Sequence, residues 1–213
     1  MTGLDRLQQD LLAAFFAREQ AFFLTGGAAL AGFHLHHRRT LDLDLFTTSD
    51  ALDQGEESLR AAAESLDAQM ERVRVSPHAR RYLIRRAGES VVVDLVRDLA
   101  PQVAGEKLVE GVVRLDGPAE IMANKLCALL SRAELRDLVD VRALEAAGFS
   151  AESHLPLAMR KDSGLTAGQL AWVLAQMEIG EDATPPGDVP AAELRGYLHD
   201  LVRRLAAAAA PQR

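Results

Sequence analysis

The hydrophobic pattern changes period several times along the chain. Leu4, Leu7, Leu11, Leu12 and Phe15 fall on one stripe of a 3.6-residue repeat, which predicts a packing helix over residues 4–20. Phe22-Phe23-Leu24 is a β-prone run, Gly26-Gly27 breaks it, and Ala28 to Phe33 has helical composition. Leu41, Leu43 and Leu45 then alternate with Asp42 and Asp44. A strand over 42–46 therefore sends the leucines to the core and both carboxylates to the other face. Residues 50–68 return to helical spacing, with Leu52, Leu59, Ala62, Ala63 and Leu66 as the apolar side. Strands follow over 70–75, 80–86 and 90–96, separated by Ser76-Pro77-His78 and Ala87-Gly88-Glu89. Residues 101–111 read as a loop or short helix, and 112–115 as an edge strand. From Pro118 the spacing is helical: 118–130, a helix opened by the capping-box pattern Ser131-x-x-Glu134 and closed at Gly148, then 151–161, 166–178 and 191–209. The class this predicts is α+β, with a mixed sheet and flanking helices over 1–116 and a helical C-terminal bundle over 117–213.

Composition narrows the picture. A chain of 213 residues that is 48% hydrophobic can bury a substantial core. Its net charge of -7 means that a polynucleotide partner must meet a local basic patch. The single Cys127, set among leucines, reads as a small core residue and fits a reducing cytoplasm. The polar N-terminus does not read as a signal peptide, and no apolar run approaches the ~20 residues that span a bilayer. Only Lys107, Lys125 and Lys161 are lysines, against many arginines.

The candidate chemistry centres on residues 22–46. Asp42 and Asp44 aim two acids one way, and such a pair repels unless a cation lies between. Hard oxygen donors suit magnesium. Gly26-Gly27 allows close backbone approach to an anion, and the start of the following helix suits phosphate. Asp94 lies inside the buried-strand run Val91–Val96. It is near the strand end, paired with arginine, or a third metal-linked acid. Arg72, Arg74, Arg80, Arg81, Arg85 and Arg86 form either an ordinary solvated sheet face or a footprint for RNA phosphate or a nucleotide. His34, His36 and His37 could suggest a metal site, but no additional His or Cys nearby completes a zinc set, and they read as helix C-terminal decoration. In the helical half, Lys125 and Arg132 are seven apart, nearly one face if that helix continues, while Asp137 and Asp140 share a face and Arg136 is placed to pair with Asp140. By pattern alone this is a salt-bridged helical hairpin with solvent-facing charges.

The chain resembles the bacterial AbiEii-type nucleotidyltransferase toxins, including the MenT toxins. The resemblance rests on Leu24-Thr25-Gly26-Gly27 with Ala29-Leu30, Arg39-Thr40-Leu41-Asp42-Leu43-Asp44-Leu45-Phe46, Val93-Asp94-Leu95, and Lys125-Leu126 followed by Arg132, Arg136-Asp137-Leu138 and Asp140. It implies a nucleotidyltransferase core of the polymerase-β-like fold, a helical C-terminal half and a cleft between them. In the chemistry that follows, Asp42 and Asp44 hold Mg2+, or Mn2+ in its place, and Asp94 completes the site as a third metal ligand or as the base on an incoming hydroxyl. Gly26, Gly27, Arg39, Thr40, Arg132 and Asp137 bind the nucleoside triphosphate. Lys125 neutralises phosphate across the cleft, oriented by Asp140 or Asp137. The resemblance further implies an NTP donor, the 3′ end of transfer RNA as the favoured acceptor, a cognate antitoxin as partner, and a cytoplasmic protein; a protein or small-molecule acceptor, or nucleotide binding without turnover, is the alternative, and a monomer without membrane attachment is expected.

Overall fold

A computed structural model describes residues 3–210; residues 1–2 and 211–213, the outer ends of the two predicted regions, lie outside it. The chain forms two compact units. One contains the chain through Leu99 together with Glu106–Gly117; the other contains Ala100–Gly105 and the chain from Pro118 onward. Among the described residues no helix is long and apolar enough to cross a membrane.

The first unit is built on a seven-stranded sheet: β1 (Phe23–Thr25), β2 (Asp42–Thr47), β3 (Gln69–Ser76), β4 (Ala79–Arg86), β5 (Glu89–Arg97), β6 (Leu108–Glu110) and β7 (Val113–Leu115), in the order β3-β4-β5-β2-β1-β7-β6. The β2–β5 and β1–β7 pairs are parallel and the others antiparallel. Two positive-φ residues, Ala87 at 49° and Gly88 at 87°, make the tight β4–β5 turn, whose mirror-image geometry matches strand twist. Alternation holds as expected in β2, where Leu43 and Leu45 are buried and the intervening acids are partly accessible. Leu41 departs from it. It lies in the bend before β2 and is 82% exposed, because the alternation rule has no force outside a paired strand.

Helix α1 (Arg6–Phe16) starts at a capping box formed by Asp5 and Gln8, and Leu7, Leu11, Leu12, Phe15 and Phe16 form its buried stripe. Helix α2 (Gly26–Ala29) is shorter than expected, since Leu30–His34 widens into a π-helical turn; His34 then bonds through Nε2 to the Asp116 carbonyl at 2.8 Å. Helix α3 (Leu52–Ser65) buries Leu52, Leu59, Ala62 and Ala63. Residues 101–111, expected to lack strands, contain β6, and β7 is internal to the sheet between β1 and β6. The exposed Leu108 and Val109 carry no alternation from which β6 could have been read.

The second unit is helical: α4 (Pro118–Ser131), α5 (Leu135–Ala146), α6 (Ala151–Lys161), α7 (Ala167–Ala175) and α8 (Ala191–Ala209). The expected capping box is not formed. Ser131 ends α4 and bonds back to Ala128, Glu134 becomes the N-cap of α5 without a side-chain cap, and Ala133 turns the corner at φ 46°. Cys127 is half-buried rather than enclosed. Its thiol lies 3.6 Å from the Ala158 carbonyl, and burial pushes it up to about 11.

Candidate active site

One transverse row of the sheet collects the chemistry of the first unit. Thr25 pairs with Asp44, Asp44 with Asp94, Asp94 with Arg81, and Arg81 with Arg74. Paired residues on neighbouring strands share a face, about 4.8 Å apart, so these five side chains line up over roughly 19 Å. The row exists because β5 enters beside β2 through a parallel crossover, which places an acid from sequence-distant Val91–Val96 next to the Asp42-x-Asp44 pair.

Arg81 grips Asp94 with both arms, Nε to Oδ1 at 2.8 Å and an Nη to Oδ2 at 2.7 Å. The Asp94 contact holds the guanidinium above its ordinary range, and the Asp42 and Asp44 charges add to this. Asp42 is itself oriented by the buried Thr40, whose hydroxyl donates to Asp42 Oδ1 at 2.8 Å. At the other end of the row, Thr25 Oγ1 is buried without a hydrogen-bond partner among the described residues.

The glycine turn closes that end. Gly26 has φ 65°, and a Cβ there would lie 2.5 Å from Asp44 Oδ2. Both facts require glycine. A Cβ on Gly27 would collide with the guanidinium of Arg38, which is buried and also donates to the Arg39 carbonyl at 3.0 Å. Arg39, the arginine expected at this place, is exposed. The bend at Arg38, between the π-helical turn and β2, turns this side chain inward and leaves Arg39 outside.

The six sheet arginines divide by face. Arg72, Arg80 and Arg86 point to the helix-covered side, where Arg72 and Arg80 meet Glu56 of α3 and Arg86 meets Asp10 of α1. Arg74, Arg81 and Arg85 are on the side of the acids. A bulge between Arg72 and Arg74 causes the split, since in a regular strand these two would share a face.

In the second unit, Lys125 is enclosed by acids. Its Nζ lies 2.8 Å from Asp137 Oδ1 and 2.7 Å from Asp140 Oδ2, and Arg132 reaches Asp137 Oδ2 at 2.8 Å. Both aspartates are fully buried rather than solvent-facing. Burial alone would lower the lysine pKa, and the two carboxylates reverse this and raise it; burial would raise Asp137, and Arg132 with Lys125 lowers it. Asp137 and Asp140 thus both hold the lysine. Arg136 also meets Glu134, at 2.6 Å.

The family model "Nucleotidyl transferase AbiEii toxin, Type IV TA system" matches residues 10–208. The chain belongs to the AbiEii nucleotidyltransferase toxin family. It is accordingly a nucleotidyltransferase. Its fold is similar to three solved structures. A Helicobacter pylori protein provisionally described as a nucleotidyltransferase has a TM-score of 0.61 and 19% identity, with 97% of this chain and 96% of that one covered. JHP933 from Helicobacter pylori has a TM-score of 0.59 and 20% identity over 95% and 92%. MenT4, a nucleotidyltransferase toxin from Mycobacterium tuberculosis, has a TM-score of 0.56 and 15% identity over 94% and 81%. No match is found among curated proteins.

For an AbiEii protein the acids have the donor chemistry of a hard divalent cation, with oxygen ligands only. Asp42 and Asp44 fit such an ion as a pair. Asp94 does not complete a three-acid set here, because both its oxygens are engaged by Arg81, and no group of three or more His, Cys, Asp or Glu side chains among the described residues is disposed to hold a metal. The sequence offers Arg74 and Arg81 only within the six-arginine group, and gives Thr25 and Arg38 no separate role. Arg81 carried a signal in hindsight: its place in β4, read against β5, puts it opposite Asp94.

Proposed function

We propose that this AbiEii protein transfers a nucleotide from an NTP to a hydroxyl acceptor, with the 3′ end of transfer RNA as the favoured acceptor. The observation that carries the reading is the in-register pair Asp44–Asp94 beside a turn that only glycine can make. Asp42 and Asp44 would hold magnesium or manganese, which when bound supplies charge neutralisation for the triphosphate. The Gly26-Gly27 backbone approaches the phosphates, where a side chain would intrude. The Thr25 hydroxyl offers a hydrogen bond that the protein alone does not take up. Arg38, braced against Gly27, contributes positive charge at the same turn. Asp94, released from Arg81, accepts the proton of the incoming hydroxyl. The hydroxyl oxygen bonds to the α-phosphorus as the bond to pyrophosphate breaks. The Lys125 cage is proposed to serve the reaction as the family signature implies. Toxicity would follow from loss of acceptor function, with a cognate antitoxin restraining it.

The experiment is incubation with α-labelled NTPs and magnesium or manganese against separate pools of transfer RNA, other RNA and protein. Label on transfer RNA, reduced roughly 10²- to 10³-fold in Asp44→Asn, is the expected result. Label confined to protein removes the transfer-RNA acceptor, and full activity in Asp44→Asn removes the mechanism.

A further inference from the structure

Arg74, at the arginine end of the row, has no role in the chemistry above. Arg74, Ser76, Ala79, Arg81 and Asp94 line a cavity of about 280 Å³ on the acid face. Arg81 and Arg74 are direct cross-strand partners. Like charges opposite one another destabilise a sheet unless an anion meets each. Asp94 meets Arg81, and Arg85, on the same face, is met by Glu71 at 2.6 Å. Arg74 has no hydrogen bond or ion pair from its side chain among the described residues, and it is exposed. The lysines offer no alternative, since Lys107, Lys125 and Lys161 each pair with a buried carboxylate.

The order along the row assigns the ends. The glycine turn abuts Asp44 at one end, and Arg74 lies beyond Asp94 at the other. In phosphoryl transfer the attacking and leaving oxygens are roughly in line on opposite sides of phosphorus. With pyrophosphate leaving at the glycine end, the incoming strand arrives at the arginine end.

We propose that the Arg74–Ser76–Arg81 cavity is the subsite for a backbone phosphate of the acceptor polynucleotide, with Arg74 as its free cation; the Ser76 hydroxyl is already given to the Ala79 carbonyl at 3.2 Å and shapes the turn. This deepens the transfer-RNA reading and rests on it. A planar guanidinium with unused donors suits a phosphate diester, and one such contact gives a net-acidic chain local affinity for RNA. Arg74 is a binding residue and does not touch the reacting atoms.

The test measures binding apart from transfer. Fluorescence anisotropy of labelled transfer RNA with the full chain, without NTP or metal, is recorded over a series of KCl concentrations. Arg74→Ala is expected to weaken affinity about 5- to 10-fold and to reduce the salt slope by about 0.7–0.9, as loss of one phosphate contact does. Arg74→Lys is expected to recover most of both. In turnover assays KM for the acceptor rises while KM for NTP stays within about twofold. An unchanged RNA affinity and slope in Arg74→Ala, a wild-type chain that does not bind transfer RNA, or a loss that falls on NTP instead overturns the proposal. A chain that binds transfer RNA through Arg74 yet labels only protein upholds the subsite and overturns the favoured acceptor, so the two failures are distinct.

Discussion

Gly26 is the residue on which the site turns most sharply. Its φ of 65° penalises any L side chain by roughly 1–2 kcal/mol. A methyl group there would also lie 2.5 Å from Asp44 Oδ2, so Asp44 must move. Gly26→Ala is expected to cost about 1–2 kcal/mol in thermal or urea unfolding, and about 10²-fold in transfer rate from a displacement near 1 Å. Near-normal transfer would show that Asp44 tolerates displacement. At this scale the sequence was readable where identity alone carries the meaning: a paired glycine, two alternating acids, one acid in an apolar run. It was not readable where the course of an irregular segment decides. Arg38 and Arg39 are chemically identical neighbours, and only the path of the backbone between the π-helical turn and β2 settles which one faces Gly27.

Among elements, α3 shows how a surface helix is fixed to a sheet by charge as well as by its leucine stripe. Glu56 is buried on the sheet-facing side of α3 and accepts from Arg72 and Arg80. Burial by itself would raise its carboxyl; the Arg72 and Arg80 guanidiniums overcome that and hold it at about 2, against an ordinary 4.5. A depressed folded pKa stabilises above the unfolded value and ceases to do so as pH falls through the folded one. The contribution, on the order of 2–3 kcal/mol, is therefore complete above about pH 4.5 and lost between about 4.5 and 2. Glu56→Gln is expected to lower stability near neutrality and to flatten the acid limb of a urea-midpoint-against-pH curve. A limb as steep as the parent's would place the acid sensitivity elsewhere. Most elements could be predicted because their periods are clean. Strand β6 could not, being three exposed residues paired only to β7, and neither could the π-helical turn, whose composition is that of an α-helix.

At the scale of the whole chain, the path crosses between the two units three times, at 99/100, 105/106 and 117/118. The short segment 100–105 is held within the helical unit by one carboxylate. Glu120 accepts from the Val103 and Ala104 amides at 2.8 and 2.7 Å, and it pairs with the equally buried Lys161, which also donates to the Pro101 carbonyl. Lys161→Met would leave Glu120 charged and enclosed, a loss of about 3–5 kcal/mol measurable by denaturant unfolding. A loss below 1 kcal/mol would mean that water reaches the carboxylate. The sequence marked residues 101–111 as irregular, but nothing in its pattern could divide them between two units, because that division is set by contacts with α4 and α6.

The irregularity in β3 has a consequence for how this strand tolerates changes of length. Val73 is the unpaired residue there; Arg72 faces Tyr82, and Arg74 faces Arg81. Deleting Val73 would straighten the ladder and leave Arg74 where it is. Deleting Val75, also one valine from the same strand, would draw Arg74 one step toward the hairpin, opposite Arg80, and turn it away from the acids. Two shortenings of equal size should therefore part company: the first retains RNA affinity and the second resembles Arg74→Ala. Equal behaviour of the two would show that strand parity does not govern which partner this arginine meets.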